Sequence, residues 1–238
     1  MNRLDYFMSK RHLNRFWWFQ RNDYLPPLYA DLSEAEFALL VEWFEETERL
    51  NLVGECNVPA MSALLGFIAG NGIDAIVQCG HYAGYSSLLM GWMLRRMGKK
   101  RALFSIDLNL MVTNFAQKYI DIAGLDNIVF LSHQNSSNQY NPYNAIGYFT
   151  KPVKMVFIDS SHQYEHTLKE LDLWYGALAP GGLMFLHDVG EQAVAYDKSG
   201  KGGVRRAVEE WKVESGAKVM MIELGTYQDG CGLGVIQK

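Results

Sequence analysis

The sequence predicts an α/β fold built on a doubly wound, mostly parallel sheet, and three observations lead there. From Ile73 onward, short apolar runs alternate with helical stretches. The runs are apolar throughout, rich in β-branched, aromatic and aliphatic residues, as strands buried on both faces must be. The helical stretches stop at glycine or at Pro-Gly, the usual C-terminal breakers.

Taken in order, residues 1–72 read as helical and as a cap or oligomerisation segment, and residues 73–238 as the sheet domain. Ser33 and Glu36 form a capping box, Leu32 and Phe37 suit a hydrophobic staple, and Phe37, Leu40, Val41 and Phe44 repeat at helical spacing, predicting a helix to about Leu50. Phe16, Trp17, Trp18, Phe19 and Tyr24 make an aromatic patch; packing on the core is its first reading, and covering a site or pairing in a homodimer its second. Strands are expected at Ala75 to Cys79, Ala102 to Ile106, Ile128 to Leu131, Val153 to Ile158 and Leu183 to Leu186. Helices are expected at Ser86 to Met97, Leu110 to Ala123, His162 to Leu178 and Val204 to Trp211. "KVMMIEL" and "CGLGVIQK" add two strands, making seven; the turn-rich "GTYQDG" between them is too short for a crossover helix, so this pair is antiparallel.

Composition excludes several roles. The 238 residues suit one good-sized domain; the net charge of −4 and the lack of a Lys/Arg block exclude a nucleic-acid partner. Charges scattered through the N-terminus and apolar runs far shorter than a membrane span predict a cytoplasmic protein with no membrane partner. Cys56, Cys79 and Cys231, odd in number and without a Cys-x-x-Cys pair, read as reduced thiols.

Chemistry concentrates where strands end. In "AIVQCGHYAGYSS", Gly80 and Gly84 let the chain turn sharply and let a ligand lie against backbone at the start of a helix. Their spacing is neither that of a nicotinamide site nor that of a phosphate loop. Asp107, closing "FSIDLN", is placed to accept hydrogen bonds from ribose hydroxyls, with Asn109 as the helix cap. Asn135 and Ser136 can meet an adenine edge, although turn formation explains them equally well.

With "VFIDSSHQYEHTLKELDLWYGALAPGGLMFLHD", these stretches resemble the class I S-adenosylmethionine-dependent methyltransferases, in the group of macrocin-type sugar O-methyltransferases and proteins labelled cephalosporin hydroxylase. The resemblance covers Ile73 to the C-terminus. It implies a Rossmann-like seven-stranded sheet, with Gly80, Gly84 and Ser86 at the methionine part of the cofactor, Asp107 at the ribose, and Asn135 and Ser136 near the adenine. Relatives carry a carboxylate where this chain has Gln78, which weakens attraction to the cofactor's ammonium.

Asp159 and Asp188 end adjacent strands, so their carboxylates can converge beside the cofactor. With His187 they can hold a divalent cation, magnesium or manganese, that lowers the pKa of a substrate hydroxyl. His162 is expected to be the general base, against the alternatives of capping a helix or binding Asp188. Tyr164 and Glu165 should steady the loop, His166 should face outward, and Val189 to Gly203 should form a mobile lid. The resulting expectation is an O-methyltransferase for a hydroxylated small molecule, a sugar or a natural product. The alternatives are a degenerate cofactor-binding or assembly protein on this fold and a nicotinamide oxidoreductase, the latter disfavoured by its missing fingerprint.

Overall fold

Up to Asn71 the chain is helical: α1 (Arg3–Ser9), α2 (Trp17–Asn22), α3 (Pro27–Ala30), α4 (Glu34–Arg49) and α5 (Val58–Asn71). The computed structural model describes residues 2–22, 24–56, 58–222 and 231–238. The expected capping box opens α4, with the Ser33 hydroxyl accepting from the Glu36 N–H and the Glu36 carboxylate accepting from the Ser33 N–H. Arg95 and Arg96 pair with Glu36 at 2.7 and 3.1 Å, which is what permits its burial. Phe16, Trp17, Trp18 and Phe19 are buried core, with Phe16 and Trp18 packed edge-on against Phe7, while Tyr24 is exposed.

The strands are β1 (Ile76–Cys79), β2 (Leu103–Asp107), β3 (Val129–His133), β4 (Val153–Ile158), β5 (Leu178–His187), β6 (Val219–Ile222) and β7 (Leu233–Gln237), in the order β3-β2-β1-β4-β5-β7-β6. β1 to β5 run parallel, and β7 lies antiparallel between β5 and β6. Between them run α6 (Tyr85–Arg96), α7 (Leu110–Ile122), α8 (Asn141–Phe149), α9 (Tyr164–Ala177) and α10 (Gly203–Ser215). The predicted turn "GTYQDG" lies outside the described residues.

Side-chain alternation along the strands gives the sheet two apolar faces. Ile76, Leu103, Met155, Phe157 and Phe185 share one core with the N-terminal helices, α6 and α7. Val77, Phe104, Val156, Met184 and Leu186 share the other with α8, α9 and α10. The N-terminal third is thus one wall of the main core. Among the described residues, no helix is long and apolar enough to cross a membrane.

Two elements depart from expectation. Pro180-Gly181-Gly182, read as a break between helix and strand, lies inside β5, where Gly181 and Gly182 exchange backbone hydrogen bonds with Lys238. The helix α8 is unannounced in a polar stretch; Pro142 sits in its first turn, where a missing N–H costs nothing.

The two glycines after β1 are excluded from carrying side chains by the protein itself. Gly80 has φ +90°, and a Cβ there would overlap the backbone carbonyl of Asp159. Gly84, also at φ +90°, would bring a Cβ within 2.8 Å of Ala116 Cβ on α7. Gly84→Ala should therefore lower unfolding stability by about 1–3 kcal/mol through strain and overpacking, and Gly80→Ala by at least as much, measured by denaturant titration.

Candidate functional site

Strand order reverses between β1 and β4, so the loops that follow these two strands depart to opposite sides and leave a crevice beyond their carboxyl ends. A cavity of about 800 Å³ occupies it. Gly80, Ser86, Asp107, Asn135, Ser136, Asp159, His162, His187 and Asp188 all line this cavity; of the expected site residues, Gln78 and Gly84 do not.

At one end, Asp107 closes β2. Its Oδ2 accepts from the Tyr82 N–H at 2.8 Å and its Oδ1 from the Asn109 N–H at 2.9 Å, which fixes the carboxylate while each oxygen keeps a further lone pair. Asn109 caps α7 as expected, accepting from the Met111 N–H. Asn135 orders its own turn by accepting from Ser137. Gln78 lies fully buried beneath the loop: its amide donates to Ser86 Oγ at 2.6 Å and to the Gly80 carbonyl, and its carbonyl accepts from Ser87 and Ser105. The Gln78 carbonyl is thus taken up by protein hydroxyls.

At the other end stand two carboxylates and two imidazoles. His162 Nε2 donates to Asp188 Oδ2 at 2.8 Å and lies 3.8 Å from Asp159 Oδ1. His187 Nδ1 lies 3.4 Å from Asp159 Oδ1 and 3.1 Å from Asp188 Oδ2. His162 precedes α9 in a left-handed conformation (φ +58°), and Asp188 shares that geometry (φ +64°). Two non-glycine residues in this strained region mark a conformation imposed by their surroundings.

Electrostatics follow from the pairing. Burial works against a charged His162, yet hydrogen bonds to Asp159 and Asp188 outweigh it and raise its pKa to about 10. Burial likewise opposes ionisation of Asp188, but His187 and His162 hold the carboxyl far below the usual range. His187 is raised well above the usual imidazole range against its own burial, because Cys56, Asp188 and Asp159 favour the protonated ring. His81, buried beside the same loop, is lowered to about 4 by desolvation and hydrogen-bonds Ser105 and Thr113.

Other expectations need correction. His166 faces inward: its Nε2 lies 3.0 Å from Ser136 Oγ and 3.3 Å from the buried Glu170. The segment from Val189 to Gly203 is folded, with a 3-10 helix at Glu191–Tyr196 followed by a turn in which Asp197 accepts from Ser199, Lys201 and Gly203. Its Ala195, Tyr196 and Lys198 close one wall of the cavity. Tyr164 and Glu165 do steady this region, bonding Glu210 and Lys201 respectively.

Residues 77–189 match a methyltransferase domain family. The matched span is just under half of the chain and holds Gly80, Asp107, Asp159 and Asp188. Solved structures share its fold at low identity. A putative caffeoyl-CoA O-methyltransferase from Staphylococcus aureus is 17% identical, with a TM-score of 0.69 over 94% of this chain and 99% of that one. The O-methyltransferase from Bacillus cereus, in complex with S-adenosylhomocysteine, is 16% identical, with a TM-score of 0.65 over 88% and 94%. An O-methyltransferase from Streptomyces achromogenes involved in tomaymycin synthesis is 17% identical, with a TM-score of 0.57 over 87% and 90%. No curated protein matches the chain.

Sequence reasoning missed the two thiols that meet this cavity. Cys56 comes from the loop before α5 and Cys231 from the residues before β7, so no local spacing announces either. The charge cluster predicts that His162 titrates near pH 10 by nuclear magnetic resonance, and that Asp188→Asn lowers the midpoint by at least about one pH unit.

Proposed function

We propose that this protein transfers a methyl group from S-adenosylmethionine to a hydroxyl of a small acceptor, a sugar or another natural product. One observation carries the reading: a second cavity of about 320 Å³ adjoins the first at the charge cluster, and the residues the two share include Glu55, Cys56, Tyr85, His187 and Cys231. A cofactor reaching from Asp107 toward Asp159 and an acceptor entering from the second cavity then meet at the carboxylates. The acceptor side is walled by Phe16, Trp17, Trp18 and Tyr29, so the aromatic N-terminal segment also covers a site. Such walls suit the apolar face of a sugar ring or a planar ring system.

The cofactor brings a sulfonium methyl that departs readily. The protein orients, dries and deprotonates. Asp107 takes the ribose hydroxyls on its remaining lone pairs, and Asn135 and Ser136 border the adenine. Tyr29 and Tyr85, with hydroxyls 2.5 Å apart, hold the wall between the chambers. His162 accepts the hydroxyl proton. Because Asp159 and Asp188 raise its pKa to about 10, it is largely protonated at neutral pH, and its base form grows as pH rises.

A magnesium ion does not fit the donor set. Magnesium takes oxygen ligands, whereas the two carboxylates of the charge cluster, Asp159 and Asp188, already face the imidazoles of His162 and His187, and the cluster's other donors are nitrogen and sulfur.

Methyl transfer from labelled S-adenosylmethionine to a panel of hydroxylated acceptors tests the reading. His162→Ala should slow transfer by about 100-fold or more, and the wild-type rate should climb from neutrality toward pH 10. An undiminished rate in His162→Ala, or a rate flat across that range, would refute the assigned base.

A further inference from the structure

We propose that His81 is a positioning residue for the cofactor: held as a neutral imidazole with its proton on Nδ1, it sets the direction of a chain of buried hydrogen bonds and so fixes the Ser86 hydroxyl as a donor to the cavity. The cofactor role rests on the methyl-transfer reading; the placement of the proton does not. His81 is 2% exposed, directly follows Gly80 and lines the cavity, and the methyl-transfer mechanism leaves it unused.

The direction of the chain follows from one group that can only accept. The terminal atom of Gln78 that lies 3.1 Å from the Gly80 carbonyl must be the amide nitrogen, and its other proton goes to Ser86 Oγ at 2.6 Å. The Gln78 carbonyl oxygen then faces Ser87 Oγ at 2.7 Å and Ser105 Oγ at 3.0 Å, and both hydroxyls donate to it. Ser105 is fully buried and its one proton is committed, so His81 Nδ1, 3.1 Å away, supplies the hydrogen of their bond. Desolvation outweighs the Asp107 carboxylate and lowers the pKa of the ring to about 4, so the imidazole holds that proton alone and carries a lone pair on Nε2. Thr113 Oγ1, 2.9 Å from Nε2, turns its proton there. The Asn109 carbonyl that it could otherwise meet still accepts from the Thr113 backbone N–H at 3.0 Å. At the other end Ser86, having accepted from Gln78, keeps its own proton, and it stands in the cavity wall within the first turn of α6. A hydroxyl donor there favours an anion, which selects the carboxylate of the cofactor's methionine part over its ammonium.

Nitrogen–proton correlation spectra of the full-length protein test the proton placement: at neutral pH His81 should show a protonated Nδ1 and a bare Nε2. Calorimetric titration with S-adenosylhomocysteine tests the positioning role. His81→Phe, which offers no donor to Ser105, should bind it at least about tenfold more weakly, and His81→Asn, whose amide N–H can replace Nδ1–H, should recover to within about threefold of wild type. Decarboxylated S-adenosylhomocysteine should bind the wild type at least about tenfold more weakly than the intact ligand, and that gap should narrow in Ser86→Ala and in His81→Phe. Should His81→Phe fail to fold, the spectra and the carboxylate comparison in Ser86→Ala decide. A proton on Nε2 alone, wild-type affinity in His81→Phe, no recovery in His81→Asn, or an undiminished gap in Ser86→Ala would overturn the proposal while leaving the methyl-transfer reading intact. A wild type that carries the Nδ1 proton yet binds no S-adenosylhomocysteine refutes the methyl-transfer reading and, with it, the cofactor role of His81.

Discussion

The close approach of β1 and β4 at the rim of the sheet is the constraint on which the site depends. Gly80 can pass the Asp159 carbonyl only because it lacks a side chain, and that passage sets two loops face to face at the strand-order reversal. From there Asp159 and Asp188, at the ends of neighbouring parallel strands, meet at one place. One buried and one half-buried carboxylate so close together would repel, and desolvation would favour their neutral forms. His162 and His187 reverse that preference and leave a charge-balanced cluster of four side chains. The same pairing decides the protonation state in which His162 waits.

Much of this was legible in the residues. Strand β4 runs over the predicted span, and β1, β2 and β3 begin one residue later than expected, because continuous apolar runs bounded by polar residues leave few alternatives. The capping box of α4 and the Asn109 cap of α7 follow from local chemistry that needs no tertiary help. Asp107, Asp159 and Asp188 were found because a parallel sheet delivers its carboxyl-terminal residues to one rim.

What escaped was set by tertiary contact. Nothing local distinguishes a glycine that cradles a ligand from one pressed against backbone, so Gly84 was read as a contact residue and is a packing residue. His166 has helical spacing compatible with exposure, and only the fold brings Ser136 and the buried Glu170 to it. The order within the segment after Asp188, expected as a mobile lid, has no sequence pattern to announce it, since the four hydrogen bonds that organise its turn converge on the single side chain of Asp197. Cys56 and Cys231 come from opposite ends of the chain and meet the cavity through the packing of the helical segment on the sheet.

Binding of the cofactor product is the most direct measure of the central claim. Calorimetric titration of the full-length protein with S-adenosylhomocysteine should give one site per chain, and Asp107→Ala should weaken it by at least about tenfold, the loss expected for charge-assisted hydrogen bonds to a ribose. No measurable binding by the wild type, or equal affinity in Asp107→Ala, would contradict the account.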